Sequence, residues 1–574
     1  MERRVLLAIT LSFVVLFLFQ RFVLPPTPTV RPPAQAAAPP AGPVAPVQPG
    51  SSPSIPGAPP PAASPVGQAA SEVPGVQTPE MTVGEVAERD ITVETKTVRA
   101  VFTNRGGRVR HWVLKAYRND QGVELDLVPE GAGPDASKPF SLAVDDPALT
   151  SRLNGGLYRV TGANGDRVDA TAQPATVGFE MAAVDGLVVT KRFTFQPNGY
   201  IVSVNAVARQ GEQRLNPWIQ WGPGLGDDIA RAKPASFMSP SYNTPAQAIV
   251  HKDGKVERIP PAASGGQDGA FRYVGIDDHY FVSMLLNTGA TAAPLRVEYV
   301  PVAAPIAGVA TQAARYVSYA VRFATPQDTA RFFFGPKALD ELRAIDPEVV
   351  RVINFGMFAW LAVPLLGALK WVHGFVGNWG WSIVTLTMLI NLAMFPLRHK
   401  SVVSMRRMQE IQPQMKAIQD RYAKFKVTDP ERQKMNSEVM ALYKAKGVNP
   451  ASGCVPMLLT MPFLFAFYSM LSQSIEIRGA GFVGWITDLS RYDPLFITPV
   501  LMGATMFWQQ RLTPSTMDPQ QQKVMMFMPL MFLFMFLWAP SGLVIYWFVS
   551  NLWAIGQQYF TNYLIGPPVL AKAK

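Results

Sequence analysis

At 574 residues the chain is too long for one hydrophobic core, and 52 Lys and Arg against 41 Asp and Glu give a formal charge of +11 although only 16% of residues are charged. A chain this basic and this oily, with much of its surplus Lys and Arg in loops beside apolar runs, is patterned by membrane topology and implies no specific nucleic acid. Its one cysteine, Cys454, lies in an apolar segment and excludes both an intramolecular disulfide and a cysteine-based zinc site.

From the start, MERR precedes the apolar run VLLAITLSFVVLFLFQRFVL, whose length of about twenty residues suits a membrane-spanning helix. The positive flank predicts a cytoplasmic N-terminus, with residues 1–24 as an uncleaved anchor. A cleaved signal peptide is the rival reading, since the small-residue triplet AQA stands at Ala34 to Ala36, well beyond the end of the apolar core. Residues 25–80 are nearly uncharged and rich in Pro and Ala, which predicts a disordered, extended linker.

Between 81 and 337, short alternating runs such as LVVTKRFTFQ, YIVSVNAVAR and RYVSYAVRFA are separated by the turn clusters NRGG, GANGD and PNG. Alternation with period two at this spacing predicts a large all-β domain, an antiparallel sandwich or barrel, placed outside the cytoplasmic membrane by the anchor. The sequence DDHYF brings two carboxylates and a histidine together, but neighbouring strand residues face opposite ways. Asp277, Asp278 and His279 are therefore read as turn or surface residues. The chain contains no G-x-S-x-G, H-E-x-x-H or P-loop motif, so no catalysis, cofactor or metal is expected.

Val352 to Val372 and Trp381 to Leu397 are both apolar enough to span. If both crossed, Arg398 to Lys446, with twelve Lys and Arg against five acids, would lie outside, against the positive-inside rule. Pro364, Lys370, His373 and nearby tryptophans suit a helix in the membrane interface, so 338–377 is read as interfacial and 378–397 as the second span. Residues 398–449 then form a basic cytoplasmic hairpin. Val402, Met405, Met408, Ile411, Met415, Ile418 and Tyr422 mark one face of its first helix, and Asp429 and Pro430 open the return helix. The hairpin is either a solvated connector on anionic lipid or a docking arm presenting Arg406, Arg407, Lys416, Arg421, Lys424 and Lys426 to ribosomes or emerging chains.

Residues 450–564 add four spans: Cys454 to Leu471, Pro494 to Gln510, Val524 to Trp538 and Leu543 to Leu564. Residues 565–574 form a cytoplasmic tail. The fold class is thus a polytopic α-helical membrane protein of six spans, five of them in a core bundle, with a large extracytoplasmic β domain. The bundle carries Thr387, Asn391, Thr460, Ser469, Gln509, Gln510, Tyr546, Ser550, Asn551, Gln557 and Gln558, which should face its interior or a wet cavity rather than lipid. Most are expected to hydrogen-bond between helices. Methionines such as Met457, Met526, Met531 and Met535 suit a surface that repacks around varied apolar partners, and also simply fill cores.

NWGWSI from Asn378, MFPL from Met394, QPQMKAIQ from Gln412, ALYKAKGVNPASGCVPMLLTMPFLFAFY from Ala441 and PSGLVIYWFVSNLWAIGQQ from Pro540 together resemble the YidC-type membrane protein insertases of Gram-negative bacteria. The resemblance is nearly continuous from Asn378 onward, and looser in the β domain, where TNRGG and FGPK carry it. It implies a periplasmic β-supersandwich and an inner-membrane protein that takes hydrophobic segments of newly made proteins from the cytoplasm through a hydrophilic groove. Release into the bilayer would be lateral, alone or beside the Sec translocon, without nucleotide. Nascent membrane proteins, the ribosome, the Sec translocon and the lipid bilayer are the implied partners. The residues assigned to the groove are Thr387, Asn391, Arg398, Thr460, Gln510, Arg511, Tyr546 and Ser550. One departure stands out: Asn391 occupies the position at which the family usually carries a groove arginine. Arg398, seven residues on and about 10 Å nearer the cytoplasm, and Arg511 are candidates to supply the charge. The alternative is a small-solute transporter or channel with a solute-binding β domain, although no span carries the Asp, Glu or Lys expected of ion-coupled transport.

Overall fold

The structure, a computed structural model, describes residues 81–119, 121–129, 137–226, 246–260, 265–289, 292–306, 309–422, 424–425, 429–447, 455–512 and 519–565. The expected anchor and linker, residues 566–574 of the tail, Cys454, Lys426 and the side chain of Thr460 lie outside what is described.

Residues 81–336 fold into three sheets. The largest has eleven strands and antiparallel pairing throughout, and its centre brings Ile201–Gln210, Ala330–Pro336, Phe281–Leu286 and Tyr273–Asp277 side by side. A five-stranded sheet is built on the long pair Leu295–Ile306 and Val309–Phe323, and another on Val98–Thr103 and Arg108–Arg118. Alternation does what it should in Leu187–Phe195, where Leu187, Val189, Lys191, Phe193 and Phe195 are buried and the residues between them are not. An aromatic cluster joins the layers: Phe140 packs edge-on against Phe193, Trp221, Phe332 and Phe334, and Trp221 stacks on Phe334 at 3.9 Å between centroids. A short helix, α1 (Pro147–Gly155), begins at Asp146, whose carboxylate accepts from the Ala148 N–H.

In the DDHYF segment Asp278 and His279 do lie in a turn, between the strands Tyr273–Asp277 and Phe281–Leu286, but none of its first three residues is at the surface. Asp277, Asp278 and His279 are 1%, 3% and 2% exposed and sit on the seam between the sheet and the apolar helices. Lys337 of FGPK donates to Asp277 Oδ2 at 3.1 Å and to the Asp278 carbonyl at 2.6 Å, while Asp278 Oδ1 accepts from the N–H groups of Tyr280 and Phe281. The Arg478 guanidinium lies over the rings of Tyr280 and Phe281, and Leu339 N–H donates to Glu476. Asp277, Asp278 and His279 are buried because this turn meets a packed junction instead of solvent.

Helix α2 (Leu339–Ile345) leads from the last strand through short 3-10 turns to α3 (Ala359–Val376). In α3, Ala362, Leu365, Leu366, Leu369 and Val372 are buried on one face while Trp360, Trp371 and Phe375 are exposed, and Lys370 reaches Asp340 and Glu476. Both α3, with the turn before it, and the next helix are long and apolar enough to cross a membrane. That next helix, α4 (Trp379–Arg421), is one continuous 43-residue element, so the expected second span and the first arm of the basic hairpin are a single rod. Its start is capped by Asn378, and it runs through Pro396 and Pro413. After it come α5 (Pro430–Ala445), α6 (Val455–Gln473), α7 (Ile497–Leu512), α8 (Pro519–Phe536) and α9 (Ser541–Ile565). Asp429 caps α5, and Arg421 and Tyr422 tie α4 to Glu438 on that helix.

Candidate functional site

The helix faces that carry polar residues converge. Thr387, Asn391, Met394, Arg398 and Ser401 recur at intervals of three or four along α4, and Tyr546, Ser550, Ala554, Gln557 and Gln558 do the same along α9. With Phe463 and Leu464 of α6 and Gln509 of α7 they line a cavity of about 450 Å³. Among the described lining residues Arg398 is the only charged one.

Much of this polarity is committed to hydrogen bonds within and between helices. Thr387 Oγ1 donates to the Ile383 carbonyl and Asn391 Nδ2 to the Thr387 carbonyl at 2.8 Å, both within α4. Asn551 donates to Thr505 Oγ1 and the Met502 carbonyl of α7, and Gln557 Nε2 donates to the Phe395 carbonyl of α4 at 3.1 Å. Ser469 donates to the Phe355 carbonyl before α3. Below the cavity, His399 meets Thr561, and Arg406 donates to Asn562. The apolar side of the cavity is firm: Phe467 and Tyr546 stack at 4.4 Å with their planes 8° apart.

Of the residues chosen from the sequence, Thr387, Asn391, Arg398, Tyr546 and Ser550 meet in this cavity. Gln510 is not among its lining residues, where its neighbour Gln509 stands instead, and Arg511 is exposed with its guanidinium 4.4 Å from the centre of the Phe507 ring. Gln509, Asn551, Gln557 and Gln558, expected from the sequence to face the bundle interior or a wet cavity though not assigned to the groove, also line it. Of the hairpin cations, Arg407, Lys416, Arg421 and Lys424 are exposed, Arg421 in an ion pair with Glu438. Arg406 is only 7% exposed and turned toward the end of α9, so it offers little to an external partner.

Chemically, the cavity offers hydroxyl and amide groups and one cation beside Met, Phe and Leu side chains, with no nucleophile–base arrangement among the described lining residues. It suits a chain that is apolar with a polar or acidic flank. A second face matches it: on α8 the exposed residues Met526, Phe527, Met531, Phe534 and Met535 form a flexible apolar surface.

Comparison with known proteins gives a consistent picture. The family described as 60Kd inner membrane protein matches residues 371–566, and the YidC periplasmic domain matches residues 90–368. The membrane protein insertase YidC of Geobacter metallireducens is 34% identical over 513 residues, covering 88% of each chain. That of Syntrophus aciditrophicus is 32% identical over 588 residues, covering 98% of this chain and 99% of its own. Among solved structures, an active YidC insertase with its first transmembrane domain resolved covers 85% of this chain and 95% of its own, at 18% identity and a TM-score of 0.34.

Proposed function

The chain belongs to the YidC family of membrane protein insertases, inner-membrane proteins with a periplasmic domain, and from that premise we propose that the cavity between α4 and α9 receives client segments on their way into the bilayer. Each Leu, Ile, Val or Phe that enters the membrane centre gains about 0.3–0.6 kcal/mol, whereas a charged residue there costs about 2.5–3.5 kcal/mol. The apolar segment is driven inward and its polar flank is the barrier. Hydroxyls, amides and the Arg398 guanidinium part-way across replace water for that flank, so nucleotide hydrolysis is not needed. The observation that carries this reading is the lining itself, a single cation and several amides beside a wall of Met, Phe and Leu.

On this reading the protein has six spans with both termini in the cytoplasm, a periplasmic β-supersandwich, and α3 lying in the outer interface. Arg398 takes over the charge that Asn391 does not carry. Arg407, Lys416, Arg421 and Lys424 form a surface for the ribosome, and clients also arrive from the Sec translocon. The test is photo-crosslinking from position 391, in membranes, to a stalled nascent chain with one hydrophobic segment. A crosslink that moves along the client as the chain lengthens is expected. Its absence, while a probe on the hairpin still reacts, would mean that clients dock but pass elsewhere, and solute uptake into sealed vesicles would then favour a transporter.

A further inference from the structure

The β domain carries a group of cations that its acids do not balance. On the face of the strand Arg108–Arg118 that turns away from buried Val109, Arg108 and Arg110 stand two residues apart, and Arg105 precedes them in the turn. Glu88 pairs with both Arg105 and Arg110, and Asp90 pairs with Arg110 at 2.9 Å. Those two acids are thereby used. The Arg108 side chain donates to the Arg105 carbonyl at 3.2 Å, and among the described residues neither Arg108 nor Lys138, on the neighbouring segment, has a carboxylate partner. Both are half-buried. Cations withdrawn from water are normally paired, and like charges gathered there repel more strongly than in solvent. Two lysines register this: burial, then Arg110 and Arg108, lower the pKa of Lys138, and burial, then Arg108, hold that of Lys191 well below 10.5.

The two unneutralised cations are also held in place. Lys191, only 1% exposed, donates to the carbonyls of Gly106 at 2.6 Å and Phe140 at 2.8 Å. It thus ties the turn that leads into Arg108 to the segment that carries Lys138. Val109 N–H donates to the Pro139 carbonyl at 3.1 Å, and Phe140 N–H to that of Gln220 at 2.7 Å. An incoming ligand would find both charges already placed. At the other end of the same strand, Tyr117 packs edge-on against Phe281 in the seam with the helices, at 5.5 Å between centroids. Nine residues of strand, about 30 Å, separate Arg108 from Tyr117, so the cations stand at the end of the β domain remote from the apolar helices. Headgroups of the bilayer around those helices are out of reach.

We infer that Arg108 and Lys138 form a binding site for one dianionic phosphoryl group, either free phosphate or a soluble phosphate monoester. The Arg108 guanidinium offers parallel N–H groups to two oxygens, and Lys138 offers a point charge to a third. Two unneutralised cations match the two charges that a phosphate monoester carries above its second pKa of about 6. A phosphodiester, the chemistry of a lipid headgroup, brings only one.

Isothermal titration calorimetry of the full-length protein, solubilised in a maltoside and free of phosphate buffer, tests this with inorganic phosphate and glycerol 3-phosphate as probes of the two sources. At least one of them should bind saturably, one per chain, and about tenfold or more weaker at pH 5 than at pH 7.5, where the dianion prevails. Arg108→Gln and Lys138→Gln should each weaken binding at least tenfold, whereas Arg118→Gln, at the exposed far end of the strand, should leave it unchanged. If thermal unfolding shows that a Gln variant does not fold, Arg108→Lys, which keeps the charge and loses the fork, should still weaken binding severalfold. Glycerophosphoglycerol, a diester, should bind at least tenfold more weakly than the tighter probe. No saturable binding of either probe, equal binding of the diester, or an affinity that the substitutions at 108 and 138 leave intact overturns the inference. So does tenfold tighter binding in Glu130→Gln with Asp135→Asn, because a carboxylate of residues 130–136, which lie outside the described residues, would then hold the cations.

Discussion

Nε2 of His279 lies 2.6 Å from the carbonyl oxygen of Ser472, 193 residues further along the chain. A carbonyl only accepts, so Nε2 carries the proton, and Nδ1 is left buried without a partner. The bond ties the turn between the strands Tyr273–Asp277 and Phe281–Leu286 to the end of α6.

Burial, with help from Lys337, lowers the His279 pKa from 6.5 to about 4, and burial pushes that of Asp278 from 3.8 up to about 6. The signs oppose. His279 contributes stability that is complete above 6.5 and is lost as the pH falls toward 4. Asp278 contributes stability that is complete below 3.8 and is lost as the pH rises through 6. Each amounts to about 3 kcal/mol, so the junction should be nearly indifferent to pH between 6.5 and 4. Asp278→Asn should expose the histidine and open the junction on acidification, while His279→Gln should expose the aspartate and tighten it. Hydrogen exchange of residues 470–478 against pH reads both. Two flat profiles would sink this assignment.

Arg398 and Arg511 were equal candidates by sequence, and the structure separates them. Arg398 faces the cavity, whereas Arg511 is exposed and rests on Phe507. A hydrogen bond to a charged group contributes about 1.5–3 kcal/mol, so Arg398→Gln should slow insertion of a client with an acidic tail by roughly tenfold or more. A client with a neutral tail should insert at the wild-type rate, and Arg511→Gln should change neither. Equal loss for both clients in Arg398→Gln would reduce Arg398 to a structural residue.

The helix faces were legible because they are local: Thr387, Asn391 and Arg398 repeat at four and seven residues, and a 3.6-residue period is all one needs to group them. The burial of Asp277 was not legible, since its partner Lys337 lies sixty residues away in sequence and no window contains both. Nor was the continuity of α4. The expected boundary at Leu397 and Arg398 divides what is one helix, and α9 braces it where Gln557 donates to the carbonyl just before Pro396.

Gly380 stands in the first turn of α4. A Cβ there would sit 2.0 Å from Cδ2 and 2.8 Å from Cβ of Phe482, whose ring also packs edge-on against Trp381 at 5.3 Å. Because the clash reaches the base of the side chain, rotation does not relieve it. Gly380→Ala should cost about 1–3 kcal/mol in thermal unfolding of the purified protein. The double variant with Phe482→Ala should recover part of that loss, and full stability in the single variant would show that the loop simply moves aside.

Asp493 organises the loop that Phe482 belongs to. It is fully buried and accepts four hydrogen bonds: from Trp485 Nε1, from Leu495 N–H, and from both the N–H and the hydroxyl of Thr498 at the start of α7. Burial raises its pKa, but the hydrogen bonds from Thr498, Leu495 and Trp485 outweigh it and hold the carboxyl below its usual 3.8. A depressed carboxylate contributes stability above its unfolded value and loses it as the pH falls below that, so the loop should release only in strong acid. Asp493→Asn keeps one acceptor oxygen and turns an NH2 group toward donors, at a cost of about 1.5–3 kcal/mol. The change should show as a redder, more quenchable Trp485 emission at neutral pH, with the acid transition of the loop lost. Unaltered fluorescence at neutral pH would mean that the four donors find other acceptors and that the carboxylate is not what holds the loop.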